Sequence, residues 1–282
     1  MKKVGFIDYY LDEWHANNYP AWFKQYSDGE MEVAYAYGKI ESPKGGLTTD
    51  AWCEKFGVQR CDTIEEVVEK SDYLVVLSPD DPQMHEELCQ VPLRSGKPVY
   101  VDKTFAPDAA TARRIVKLAE DSGTPMFSTS SIRFSDEVQA LTEAPENIDF
   151  LNAVGCCDVD VHLIHLVEPV VNIMGTGAQR LMSVGTEKTP AWMIEFTGGR
   201  KVFATMYESH ESWAFKANTK DNRVLVINDC HNFWETFMVK LVDFFRTGEA
   251  KVPHEQTVAG IELRDKMIMA MEKPYTWLDL DL

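Results

Sequence analysis

The sequence predicts an α/β chain of two domains. A doubly wound parallel sheet is expected over residues 1–134, and an α+β domain with an open, mostly antiparallel sheet over 135–282. Three observations carry this. Short apolar runs alternate with segments of helical spacing through the first half, as in β-α-β units. One run, Asp72 to Leu77, is apolar almost throughout, as a strand buried on both faces must be. After about Phe134 the texture changes to β-like runs separated by Gly and Asn turns.

In order, Lys3 to Ile7 is the first strand and Asp8 to Trp14 a polar and aromatic loop. Asn17 to Tyr26 reads as a helix with Pro20 near its first turn. Met31 to Tyr37 alternates as a second strand, and Gly38 to Gly46 is a loop. Thr49 to Phe56 is helical, capped by Thr48 or Thr49 and stopped by Gly57. Thr63 opens the next helix with capping-box spacing to Glu66. Asp72 to Leu77 is the central strand, and Ser78-Pro79-Asp80-Asp81-Pro82 a tight loop before a helix over Gln83 to Leu93. Pro98 to Val101 is a strand, Asp108 to Ser122 a helix capped by Asp108, and Pro125 to Ser128 a strand. Such an order implies right-handed crossovers.

Ser135 to Ala144 then reads as a helix broken by Pro145, Phe150 to Cys156 as a strand, and Asp158 to Met174 as a helix stopped by Gly175. Ala191 to Phe196, Lys201 to Tyr207, Trp213 to Ala217 and Arg223 to Val226 are β-like. Phe233 to Arg246 is an amphipathic helix and Glu255 to Met271 the last one, which could pack back on the first domain.

With 282 residues and 45% hydrophobic side chains the chain can bury a core without disulfides. Its net charge of −17 argues against nucleic acid or an anionic membrane as partner. The start of the chain lacks a long apolar run, so no signal peptide is expected, nor is a membrane span. Cys53, Cys61, Cys89, Cys156, Cys157 and Cys230 are scattered without C-x-x-C spacing, which suits free thiols in a reducing cytoplasm.

Three groups of residues invite chemistry. Lys103 follows the strand Pro98 to Val101, and the carboxyl ends of strands are where open α/β sheets bind ligands. It is either an active-site lysine or a surface charge paired with Asp102. Asp158, His162 and His165 are spaced to share a helix face. They are acid–base residues, a buried and satisfied pair, or, with Glu168, metal ligands. Tyr9, Tyr10, Trp14 and Trp22 either stack on a ring or fill space. His210, Trp213 and His231 fall on the second sheet, as core or subunit interface.

Several motifs stand in one order: Ser78-Pro79-Asp80-Asp81-Pro82-Gln83-Met84-His85, then Gly96-Lys97-Pro98-Val99, Asp102-Lys103-Thr104 and Arg133-Phe134. His165-Leu166-Val167-Glu168 with Gly175, and Gly248 to Glu255, follow. Together they resemble the glucose–fructose oxidoreductase/inositol 2-dehydrogenase (Gfo/Idh/MocA) family along the whole chain. The resemblance implies a Rossmann-like first domain, NAD or NADP as cofactor, and a cleft site. There a hydride would move between the nicotinamide and a hydroxyl-bearing carbon of a sugar, polyol or related acid. It implies Lys103, Asp102, His165 and His162 as catalytic residues. It places Tyr9, Tyr10, Leu11, Ser78, Pro79, Asp80, His85 and Lys103 at the cofactor, and Arg133, Asp158 and His162 at the substrate. A homodimer or homotetramer through the C-terminal sheet is also implied.

The chain departs from the family at defined places. The stretch from Asp8 to Trp14 stands where the family has G-x-G-x-x-G and contains no glycine. Its Asp8, Asp12 and Glu13 would repel phosphate. The second strand ends without the acidic residue expected at the adenine ribose, and Thr104 replaces a proline. Two further readings follow: a relative that binds a sugar-like ligand or a partner without redox turnover, and metal-assisted lyase or hydrolase chemistry at His162 and His165.

Overall fold

A computed structural model describes residues 1–208 and 212–280, so His210 lies outside the described residues. The chain forms two compact units: 1–129 with 237–254, and 130–236 with 255–282.

The first unit holds six strands and most of six helices. They run β1 (Lys2–Asp8), α1 (Trp14–Tyr26), β2 (Met31–Gly38), α2 (Thr49–Phe56), β3 (Gln59–Arg60), α3 (Ile64–Lys70), β4 (Tyr73–Val76), α4 (His85–Leu88), β5 (Val99–Val101), α5 (Ala109–Asp121) and β6 (Met126–Phe127). The sheet order is β3-β2-β1-β4-β5-β6, parallel throughout. This is the expected doubly wound sheet, with β3 added. Two residues carry no usable periodicity, so β3 was invisible in the sequence. Thr48, Thr63 and Asp108 cap α2, α3 and α5 as their positions predict. Gly57 ends α2 at φ 67°, a conformation that costs glycine little.

Two expectations need correction. The helix over Gln83 to Leu93 is broken: 3-10 turns at Pro82–Met84 and Pro92–Arg94 flank the single turn of α4. Pro92 has no N–H to donate and its ring blocks a continuing helix. The first helix begins at Trp14, not Asn17, so Pro20 is interior rather than near the start. Glu13 causes this by capping the helix, as described below.

The unit is completed by a segment far along the chain, so the remaining elements are given first. They are α6 (Asp136–Leu141), β7 (Ile148–Cys156), α7 (Val159–Met174), β8 (Ala178–Ser183), β9 (Ala191–Phe196), β10 (Lys201–Tyr207), β11 (Ala214–Thr219), β12 (Val224–Ile227), α8 (Phe233–Thr247), α9 (His254–Ala270) and β13 (Leu278–Asp279). Most of α8 belongs to the first unit. There Phe237 meets Tyr19 and Tyr100 at 6.0 and 5.4 Å, Phe244 meets Phe127 at 4.8 Å, and Phe245 stacks on Tyr73 at 4.8 Å. Each such pair adds about 0.5–1.5 kcal/mol beyond the area it buries.

The second sheet has the order β12-β11-β7-β10-β9-β8-β13. Only β7 and β10 pair in parallel; the remaining pairs are antiparallel. Helix α7 packs on it through Leu163, Leu166, Val167 and Val170. Gly155 on β7 leaves room for its neighbours, since a Cβ there would stand 2.4 Å from Met206 Sδ, 2.8 Å from the Trp213 ring and 3.4 Å from Leu166 Cβ of α7. Trp192 is fully buried and donates its indole N–H to the Met267 carbonyl at 2.7 Å. The six cysteines are free thiols. Among the described residues no helix is long and apolar enough to cross a membrane.

Candidate functional site

In the first unit β1 ends at Asp8, and β5 is followed by Asp102 and Lys103. Both points are at the carboxyl edge of the sheet, two strands apart in its order. Asp8 and Asp102 are each 1% exposed, Lys103 is 6% exposed and Glu13 8%. The Lys103–Thr104 peptide is cis. The Tyr100 hydroxyl lies 3.0 Å from Asp102 Oδ1 and 3.1 Å from the Thr129 carbonyl, to both of which it can donate. The other Asp102 oxygen has no hydrogen bond and lies 3.7 Å from His15 Nδ1. His15 Nδ1 is also 3.1 Å from Glu13 Oε2. Burial, the largest single influence, pulls the His15 pKa down, but Asp102 and Glu13 together outweigh it and the net shift is upward. The Tyr19 hydroxyl is pushed well up by burial, then by Asp102 and Glu13.

Asp8 is the anomaly of this group. Burial first, and then the Glu13 charge, push its pKa well above the ordinary carboxyl range. The Tyr9 and Tyr10 amides are near enough to oppose this, yet neither carboxyl oxygen has a partner in hydrogen-bond geometry. Between the unfolded and native pKa values the native chain therefore holds a proton on Asp8 that the unfolded chain has lost. Each pH unit between the two pKa values costs the native state about 1.4 kcal/mol. Asp8→Asn is thus expected to raise stability, and by more at pH 7.5 than at pH 4. Urea midpoints at the two pH values check this; an equal difference at both would refute a protonated Asp8.

The β1–α1 turn is where a dinucleotide would meet this sheet. In the G-x-G-x-x-G pattern, glycines admit the pyrophosphate to a helix N-terminus. Asp8, Tyr10 and Glu13 have that spacing and all three are buried. Glu13 Oε2 accepts from the His15 N–H at 2.7 Å, and Oε1 accepts from the Ala16 N–H. Asp12 accepts from the Leu47 N–H at 2.8 Å and from the Asn17 side chain at 3.0 Å. First-turn amides of α1 are therefore engaged by the chain's own carboxylate, and side chains stand where a phosphate needs open backbone. The turn does not fit a pyrophosphate as built.

The other residues expected at the cofactor are placed as follows. Tyr10 and Leu11 are buried, and Tyr9 is half-buried with its ring 6.0 Å from that of Tyr10. Ser78 and Pro79 are buried, with Ser78 at φ 114° and its hydroxyl donating to the Asp81 carbonyl at 3.0 Å. Asp80 pairs with Lys44 at 2.6 Å. His85 is 0% exposed, with its ring nitrogens 3.1 and 3.0 Å from the Phe105 and Leu77 carbonyls. Burial lowers its pKa, so the neutral ring donates to one carbonyl and faces the protein interior. Trp14 is exposed, with its ring edge-on to Trp22 at 5.6 Å. The sequence reading passed over His15, Tyr19 and Tyr100. The legible signal for His15 was a histidine in a first helical turn, two residues after an acidic cap.

In the second unit α7 carries the histidines. Asp158 caps it through the Val161 N–H at 2.8 Å and is 2.7 Å from His162 Nδ1. Burial raises the Asp158 pKa most, but the Val161 amide and His162 reverse this, so the net shift is downward. His165 Nδ1 is 2.6 Å from Ser130 Oγ, which accepts from the Ile132 N–H at 3.3 Å. The His165 ring is 5.6 Å from Trp213 and 5.9 Å from His162. Among the described residues no three His, Cys, Asp or Glu side chains come together to hold a metal ion. Trp213 is buried in the core, and His231 pairs with Glu137 at 2.6 Å on the surface.

Arg133 is buried and engaged within its own unit. It pairs with Glu168 at 3.0 Å, donates to Asn172 at 2.8 Å and donates to Gln256.

Residues 21–130 match a family model, GFO_IDH_MocA, described as an oxidoreductase family with an NAD-binding Rossmann fold. The match begins C-terminal to the β1–α1 turn. No curated protein sequence matches. GenD2 of gentamicin A biosynthesis, solved with NAD, superposes with a TM-score of 0.81 at 11% identity, covering 100% of this chain and 97% of that one. The scyllo-inositol dehydrogenase of Lactobacillus casei gives 0.80 at 11% identity, covering 99% and 98%. The myo-inositol dehydrogenase of the same organism, solved with NAD(H) and myo-inositol, gives 0.80 at 11% identity, covering 100% and 97%. At such identities the neighbours establish the shared fold, and over residues 21–130 the chain is similar to the NAD-binding Gfo/Idh/MocA oxidoreductase family.

Proposed function

We propose that the chain is an oxidoreductase acting on the CH–OH group of a sugar, polyol or related compound, with NAD or NADP. One observation carries the reading. Lys103 is buried beyond the carboxyl end of β5 and makes no hydrogen bond or ion pair among the described residues. Its Nζ is not among the atoms sealed from solvent, so a substrate hydroxyl can reach it, and Lys103 would hold that hydroxyl and share its proton. Asp102, held by Tyr100, orients the lysine's surroundings. His165, fixed through Nδ1 by Ser130, is the second candidate acid–base group. His162, paired with Asp158, would contact substrate polar groups. The inositol dehydrogenases among the neighbours support a hydroxyl-rich substrate.

A second reading is a relative that binds a sugar-like ligand without redox turnover. Glu13 favours it, by engaging helix amides a cofactor phosphate would need. Titration of the purified protein with NADH and NADPH, followed by nicotinamide fluorescence, separates the two. Saturable binding with turnover of an inositol, hexose or sugar acid is expected. No binding of either nucleotide at ~1 mM, equivalent to less than about 4 kcal/mol, would leave only the second reading.

A further inference from the structure

We infer that Glu13 is a built-in competitor for the phosphates of any dinucleotide this chain binds, and so sets its cofactor affinity. The inference rests on the nicotinamide reading only for the identity of the displaced anion.

Helix α1 is long, and anions are favoured at such an N-terminus by converging N–H groups and the helix dipole. Here the anion is internal. Both Glu13 oxygens accept first-turn amides, and Oε2 also meets His15 Nδ1 at 3.1 Å. The Glu13 side chain is only 5% exposed, so it is seated rather than swinging in solvent. The surroundings reinforce the exclusion. Asp8 has both carboxyl oxygens buried without a partner, and Asp102 has one. A pyrophosphate arriving there would meet the acidic side chains of Glu13 and Asp102 and would have to take two amides from Glu13. Displaced, Glu13 would lose its contact with His15, whose Nδ1 also lies 3.7 Å from Asp102.

The test compares wild-type protein with Glu13→Gln and Glu13→Gly. Gln keeps the size and one acceptor oxygen while removing the charge; glycine opens the backbone and is itself an accepted helix N-cap. Affinities for NADH and for reduced nicotinamide riboside, which carries no phosphate, are read by nicotinamide fluorescence, with circular dichroism checking the fold. Both variants are expected to bind NADH at least ~10-fold more tightly than wild type and to leave the riboside unchanged. Equal or weaker NADH binding in both folded variants would overturn the inference. So would an equal gain for the riboside, or no NADH binding in any of the three proteins. Failure of the oxidoreductase reading looks different: the variants gain NADH affinity as expected, yet no hydroxyl substrate is turned over by any of them.

Discussion

Lys103→Met is expected to lower turnover by about 10²–10⁴-fold, the usual contribution of a positioned proton-transfer group. Met matches the length of the side chain and removes the charge and the donors. Lys103 is only 6% exposed, but its charge helps hold the Asp80 carboxyl below its ordinary range, so burial and that attraction oppose each other. Thermal stability is therefore expected to change little while activity falls, which separates a catalytic loss from an unfolding one. Lys103→Arg is not expected to rescue turnover. The guanidinium is a planar fork that keeps its proton, whereas proton sharing needs a compact ammonium that can release one. Turnover of the Met variant within a factor of about three of wild type would remove Lys103 from the chemistry.

Arg133→Leu is expected to destabilise the protein by about 3–5 kcal/mol, measured by urea denaturation. Arg133 and Glu168 form an ion pair 3.0 Å apart whose side chains are almost fully buried. Burial pulls the Arg133 pKa down most strongly, and the Glu168 charge works against that pull. Removing the arginine leaves the carboxylate buried with less compensation. Arg133→Leu with Glu168→Leu should recover much of the loss, since well-packed apolar pairs often replace buried ion pairs at little cost. Arg133 also lies in the 3-10 turn Ser131–Phe134, directly after the Ser130 that meets His165. Its loss should disturb that histidine as well. A stability change below about 1 kcal/mol would instead return Arg133 to a ligand-facing role.

The fold was largely legible in the sequence because its signals are local. The apolar runs ending at Ile7, Leu77 and Val101 form neighbouring parallel strands. Thr48, Asp108 and Asp158 cap where short polar residues precede helical spacing. The misses were also local in cause: Pro92 interrupts the helix expected from Gln83, and β3 and β13 are too short to show a period.

The neighbourhoods of the site were less legible. The strand end made Lys103 conspicuous, but nothing in sequence showed that it would lie only 6% exposed. His85 and Arg133 look like ligand-facing residues in their motifs. The structure surrounds one with two carbonyls and pairs the other with a carboxylate. Glu13 reads as an acid that repels phosphate, yet its folded role is to cap α1.

The sequence was enough for the parallel sheet, the second and mostly antiparallel sheet, the missing glycines and the family resemblance. All of these depend on composition, spacing and order along the chain. Folding alone revealed that α8 supplies the aromatic side chains completing the first unit, that burial and Glu13 raise the Asp8 pKa, and that the α1 N-terminus already holds a carboxylate. These depend on which distant groups share a buried space, where burial and neighbouring charge outweigh the chemistry each side chain has alone.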